Sequence, residues 1–192
     1  RELYDLAADP MQAHNVIEKH PEILAPMRAH LDKWWIGVRD RINEFQPAVI
    51  GHDAENPLPL TACEWADVFV DQQAQVRRGD RKNGFWHVDV AQPGNYSFEL
   101  RRWPRDSALK LTDAIAETAA TDGTLPAGPP FPVSRARLKI GAFDQTKTAD
   151  PAADCVRFSA TLPGGRTSLQ TWFYDASGAE IAGAYYVYAE RS

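Results

Sequence analysis

Between Phe85 and Arg105 the chain reads FWHVDVAQPGNYSFELRRWPR, and this run narrows the fold classes open to it. Trp86, Val88 and Val90 alternate with His87 and Asp89, and Tyr96, Phe98 and Leu100 alternate with Ser97, Glu99 and Arg101. A period of two marks strands with one buried face. Gln92-Pro93-Gly94-Asn95 lies between them. Proline presets the first turn position and glycine accepts positive φ at the second, so we expect a type II turn and a hairpin. Both apolar faces then lie on one side. A lone two-stranded ribbon is not stable, so other apolar strands must cover it.

Those strands are legible downstream. Ala66–Val70 is a short candidate. Ala136, Leu138 and Ile140 alternate with Arg137 and Lys139, and Val156, Phe158, Ala160 and Leu162 follow the same rule. Pro163-Gly164-Gly165 turns the chain into Thr167–Asp175, Ser177-Gly178 makes another turn, and Ala184–Glu190 supplies the last strand. In Leu109–Pro132, Leu111, Ile115 and Ala119 suggest a short helix, followed by a long Gly- and Pro-rich loop from Thr121. Short strands punctuated by Gly and Pro predict a mainly β chain, an antiparallel β-sandwich of jelly-roll type over 61–192.

The first 46 residues read differently. Glu2-Leu3-Tyr4-Asp5-Leu6 alternates like a strand, and Ala7-Ala8-Asp9-Pro10 breaks it. Pro21 and Glu22 suit a helix start. Ile23, Met27, Leu31, Trp34, Val38 and Ile42 then recur at helical spacing, widened by Leu24 and Trp35, which predicts one long helix to about Glu44. That stripe should face protein, either the sandwich or a second copy of the chain, with Trp34 and Trp35 as packing residues. Residues 47–60, with Pro47, Gly51, Asn56, Pro57 and Pro59, read as a linker.

Composition excludes several classes. With 192 residues, 44% hydrophobic and 24% charged, the chain is globular, and a net charge of −5 argues against nucleic acid or an anionic membrane as partner. No apolar run approaches the roughly 18 residues of a spanning helix, and no signal peptide is seen. The chain starts at Arg1 inside a strand-like run, from which we expect a piece of something longer. Cys63 and Cys155 either pair, if the compartment is oxidising, or are two unrelated buried thiols. His14, His20, His30, His52 and His87 show no metal-ligand spacing.

Glu2-Leu3-Tyr4-Asp5-Leu6, Asp9-Pro10, Asn15, His20-Pro21-Glu22 and the helix with Trp34-Trp35 together resemble the C-terminal signature of the sulfatases, the arylsulfatase-like hydrolases. Gln12 stands where that pattern has glutamate and Val16 where it has leucine. The resemblance implies that 1–46 are the last strand and packed helix of a small C-terminal subdomain following an α/β catalytic domain. Asn56-Pro57, Thr61 with Trp65, Val76-Arg77-Arg78-Gly79, Asn83-Gly84, Leu100-Arg101-Arg102-Trp103-Pro104, Leu169-Gln170-Thr171-Trp172-Phe173 and Gly183-Ala184-Tyr185-Tyr186-Val187-Tyr188 are similar to an extra C-terminal region of some bacterial sulfatases. The family uses calcium and a formylglycine made from Cys or Ser in a Cys/Ser-x-Pro-x-Arg motif. Neither cysteine here has that proline and arginine, and no serine does, so this chain offers no catalytic residue and no cofactor site of its own. The resemblance further implies a periplasmic or extracellular location and a catalytic domain of the same polypeptide as partner.

Three functional readings follow. The first is a non-catalytic C-terminal portion of a sulfatase, supporting the catalytic domain and its substrate access. The second is a carbohydrate-binding sandwich for sulfated or acidic polysaccharides, and the third a structural or homo-oligomerising domain. For a ligand, the candidates are Arg101, Arg102, Trp103 and Trp172: arginine forks pair with sulfate oxygens and indoles cover sugar faces. Alternation places Arg101 and Trp103 on one face, opposite core-facing Leu100. Trp172 is out of phase with Leu169, Thr171 and Phe173, so it packs on a second surface or is exposed. Trp86, in phase with Val88 and Val90, reads as core, and Gln75–Arg81 as a solvated loop.

Overall fold

The computed structural model describes residues 1–68 and 70–192, and the chain divides into two compact units, Arg1–Gln46 and Pro47–Ser192. In the first unit, helix α1 spans Pro21–Val38 with proline at its start and Glu22 in its first turn. It ends a turn and a half before the expected Glu44. Gly37 and β-branched Val38 weaken the last turn, which no packing supports: no residue of the helix is buried. Ile23, Met27, Leu31 and Trp34 are 46%, 56%, 48% and 54% exposed, so nothing within residues 1–46 covers the stripe.

Glu2–Leu6 forms no strand, because no neighbouring strand offers it a ladder. Its backbone is instead clasped locally. Leu3 N donates to Asn15 Oδ1 at 3.0 Å, and Val16 N donates to the Leu3 carbonyl at 2.8 Å. Asp9 closes the following turn by accepting from His14 N at 2.7 Å. The backbone donors of His14 and Ala13 hold its carboxyl below the usual range.

The second unit is a β-sandwich. Strands β1 (Ala48–Ile50), β2 (Leu58–Thr61), β3 (Phe85–Val90), β4 (Gly94–Arg101), β5 (Thr118–Ala120), β6 (Gly123–Leu125), β7 (Arg135–Ile140), β8 (Phe143–Thr148), β9 (Val156–Leu162), β10 (Gly165–Tyr174), β11 (Glu180–Ala182) and β12 (Tyr186–Arg191) follow in order, with a short helix α2 at Gln73–Arg78. A six-stranded sheet runs β1-β3-β10-β7-β8 with β11 beside β10, and a four-stranded sheet runs β2-β12-β4-β9. Among the described residues only β1 and β3 pair in parallel, and every other pair is antiparallel. The core lies between the sheets, with Trp86, Val88, Leu138, Leu169 and Phe173 from one and Tyr96, Phe98, Leu100, Phe158 and Val187 from the other.

Several expectations are corrected here. β3 and β4 do not pair as a hairpin. β3 joins β1 and β10, while β4 joins β12 and β9, so Ala91–Pro93 arches from one sheet to the other and the apolar faces meet across the core. The same holds for β9 and β10 around Pro163-Gly164, and the two arches are neighbours: a Cβ on Gly164 would lie 3.5 Å from Pro93 Cδ. Residues 47–60 are not a linker, since β1 and β2 belong to the two sheets and Leu60 is buried against the core. Residue 69 lies outside the described residues; of the rest of the expected strand Ala66–Val70, residues 66–68 form bends and Val70 belongs to no strand. No helix forms around Leu111–Ala119. Leu111 is buried, but only the small β5–β6 ribbon is regular there. Gln75–Arg81 is not a solvated loop: α2 occupies most of it, and Arg77 is buried. Cys63 and Cys155 are unpaired, Cys63 exposed and Cys155 buried with its thiol pushed up to about 11 by burial.

Candidate functional site

Arg101, Arg102 and Trp103, expected side by side on the surface, are all buried, at 4%, 0% and 3% exposure. Arg101 Nε donates to Glu99 Oε2 at 2.8 Å, and its other end meets Asp154 at 2.9 Å. Arg105 and Arg157 also converge on Glu99, at 2.9 Å each. Burial by itself raises the Glu99 pKa, but hydrogen bonds from Arg105, Arg101 and Arg157 carry it down to about 2. Glu99 with its three guanidinium partners is a structural hub, and Arg101, held between Glu99 and Asp154, is committed to carboxylates of the protein itself.

Arg102 continues the inward phase of Leu100 and ends in the core. Its guanidinium lies between the rings of Trp103 and Phe131, 4.4 and 4.6 Å from their centroids. It donates to the carbonyls of Asp113, Pro129 and Arg77, each at 3.0 Å. Desolvation brings its pKa down to about 10, still charged at neutrality. No sugar or sulfate reaches this group, and Trp103 serves as its lid. Segment 109–132 covers this strand end at Arg102, through the Phe131 ring and the Asp113 and Pro129 carbonyls, while Glu99 and Asp154 hold Arg101.

Trp172 is different. Its outward phase places it half-buried on the outer face of the six-stranded sheet. There register assembles side chains far apart in sequence: Trp172 opposite Arg137 and then Thr146, and Tyr174 opposite Arg135 and then Thr148. The Arg137 guanidinium stands 4.6 Å over the Trp172 ring and grips Asp144 with two bonds, at 2.7 and 2.5 Å. That fork raises the Arg137 pKa and lowers that of Asp144. Arg135 lies 6.0 Å from the Tyr174 ring centroid and is exposed. Arg135, Arg137, Thr146, Tyr174 and Gly178 line a hollow of about 280 Å³. Arg135, Arg137 and Tyr174 were absent from the sequence candidates, although the alternation of Arg137 and Lys139 against Leu138 had already turned them outward. What was missing was β8, whose exposed sequence Phe143–Thr148 lacks apolar alternation.

Among the described residues no cluster of three or more His, Cys, Asp and Glu side chains suits a metal ion. No helix among the described residues is long and apolar enough to cross a membrane.

No family model matches the chain. No curated protein matches it. Among solved structures it is similar to a ruminal GH26 endo-beta-1,4-mannanase, with a TM-score of 0.38 and 12% identity over 72% of this chain. The match spans 26% of that enzyme, about a quarter of its length.

Proposed function

We propose that this chain is a non-catalytic C-terminal portion of a sulfatase, in which residues 1–46 rest on the catalytic domain of the same polypeptide and the sandwich is an accessory domain. The observation that carries the reading is the uncovered face of α1. Ile23, Met27, Leu31 and Trp34 each stand about half exposed. Full burial of such side chains is worth about 1.5–3 kcal/mol each, and a contiguous apolar stripe of this kind marks a docking surface. At its C-terminal end Trp34, Val38, Arg41 and Ile42 line a hollow of about 320 Å³, a seat for side chains of a covering surface. Glu2–Leu6, whose sequence alternates but whose backbone has no strand beside it, is the second support. A missing sheet that pairs Glu2–Leu6 and covers α1 satisfies both at once.

The test is the longer reading frame. A Cys/Ser-x-Pro-x-Arg motif upstream, with calcium-dependent aryl sulfate hydrolysis by the longer product, is expected; a frame without the motif overturns the reading. So does a stable dimer of the present chain that Trp34→Asp dissociates, since a second copy would then be what covers the stripe.

A further inference from the structure

We propose that the outer face of the six-stranded sheet, around Trp172, Tyr174 and Arg135, is a binding platform for an anionic polysaccharide. The proposal stands on this face alone and does not need the sulfatase reading. Three observations carry it. First, the aromatic rings are out of the core by register: Trp172 and Tyr174 alternate with buried Thr171 and Phe173, so their outward placement is set by β10 itself. Side chains two apart on a strand are spaced by roughly 7 Å, so the two rings form a row along β10. Half-buried indole and phenol rings present apolar surface with a polar handle, the combination that suits the mixed faces of a sugar.

Second, the charge of this face opposes that of the whole chain. Outward on β7 and β8 stand Arg135, Arg137 and Lys139 against the carboxylates of Asp144 and of Glu180, which lies opposite Tyr174 on β11, a surplus of one positive charge on a chain of net −5. Arg137 is committed to Asp144, which fixes it over one face of the Trp172 ring. Among the described residues Arg135 has no carboxylate partner, and it borders the hollow, where its guanidinium can fork onto a sulfate or carboxylate. Third, the surroundings exclude other occupants. Charges are too dense for an apolar protein interface, whose centre is depleted in them. A surplus of one on an acidic chain is too weak for nucleic acid, whose affinity rests on many phosphate contacts.

The experiment is affinity electrophoresis of the full chain in gels containing chondroitin sulfate, alginate or neutral hydroxyethyl cellulose. Retardation is expected on the sulfated polymer, the carboxylated polymer or both, which identifies the anion read, and it should fade with added salt. Arg135→Ala, at an exposed position, should weaken it about fivefold or more, a value discounted from the tenfold of a buried charged hydrogen bond for solvent screening, and Trp172→Ala, which removes ring contact, should weaken it about fivefold. Lys110→Ala, an exposed cation outside this face, should leave it unchanged. Near-ultraviolet circular dichroism checks that each variant is folded. If Trp172→Ala unfolds, Arg135→Ala still decides. No retardation on either anionic polymer, equal retardation on the neutral one, or retardation indifferent to Arg135→Ala overturns the proposal.

Discussion

Replacing Arg102 tests whether this arginine is a strut or a ligand site. It is fully buried and joins three carbonyls, those of Arg77, Asp113 and Pro129, from three separate segments. Charged hydrogen bonds contribute about 1.5–3 kcal/mol each, but burying the guanidinium offsets much of that sum. Removal is costlier than the net balance suggests, because the three carbonyls stay buried without a donor. Arg102→Met keeps most of the stem between Trp103 and Phe131, so its effect isolates the lost donors. We expect a loss of about 3–5 kcal/mol in urea unfolding, equivalent to roughly 6–20 °C in Tm for a chain of this size. Arg102→Ala should cost at least as much, since it also empties the space between the rings. Retardation on sulfated polymer, compared at equal folded fraction, should be unchanged in Arg102→Met. An Arg102→Met protein within about 1 kcal/mol of the parent, or one that stays folded and loses polysaccharide binding, would refute the reasoning.

Glu99 gives the pH dependence. Its folded pKa of about 2 lies below its ordinary 4.5, so its contribution is present above the ordinary value and lost as pH falls towards 2. After solvent screening that amounts to about 1–2 kcal/mol. The urea-stability gap between parent and Glu99→Gln should therefore close between about pH 5 and pH 2, and a gap independent of pH contradicts the account. Gly51→Ala should cost more than about 1 kcal/mol, measured by thermal unfolding, because φ is +74° and a Cβ would run into the Tyr96 ring. Leu31→Glu on the exposed stripe of α1 should shift unfolding of this chain by no more than about 0.5 kcal/mol; a larger loss means the stripe is already covered. Purified chain supplied with a chromogenic aryl sulfate and calcium should show no turnover, since no residue here can become the formylglycine nucleophile.

Which residues face the core was readable, and which strands touch was not. The alternation of Trp86, Val88 and Val90, of Tyr96, Phe98 and Leu100, and of Val156, Phe158 and Ala160 sorts inside from outside, and all nine are buried. A hairpin and an arch have the same alternation on either side of the same Pro-Gly turn. The difference lies in hydrogen bonds to strands far along the chain, β10 for β3 and β12 for β4, and no local rule encodes those. Pro57 and Pro59 likewise suggested a linker. Yet β2 lies at the edge of its sheet beside β12, a position that tolerates a residue without an N–H. On α1 the helical spacing was readable, while the exposure of its apolar stripe was not.

The buried arginines explain both the error at the candidate site and the shape of the remaining surface. Residues 109–132 make almost no regular structure, so their carbonyls need donors from elsewhere. Two guanidinium groups supply them. Arg77 reaches the Ala116 and Pro126 carbonyls at 3.1 and 2.9 Å and Thr118 Oγ1 at 3.1 Å, while Arg102 reaches Asp113 and Pro129 and binds the Arg77 carbonyl itself. An arginine used this way is conspicuous in sequence, especially beside a tryptophan, and silent at the surface. Arg135 has the opposite character: plain in sequence, more than 30 residues from Trp172, and brought to the same sheet face only by the β7–β10 register. Adjacency along one strand end therefore misdirects, and recognition is better sought where neighbouring strands align outward residues in rows. By that criterion the row of Tyr174 and Arg135, next to the row of Trp172 and Arg137, is where this sandwich has kept charge and aromatic surface outside its core.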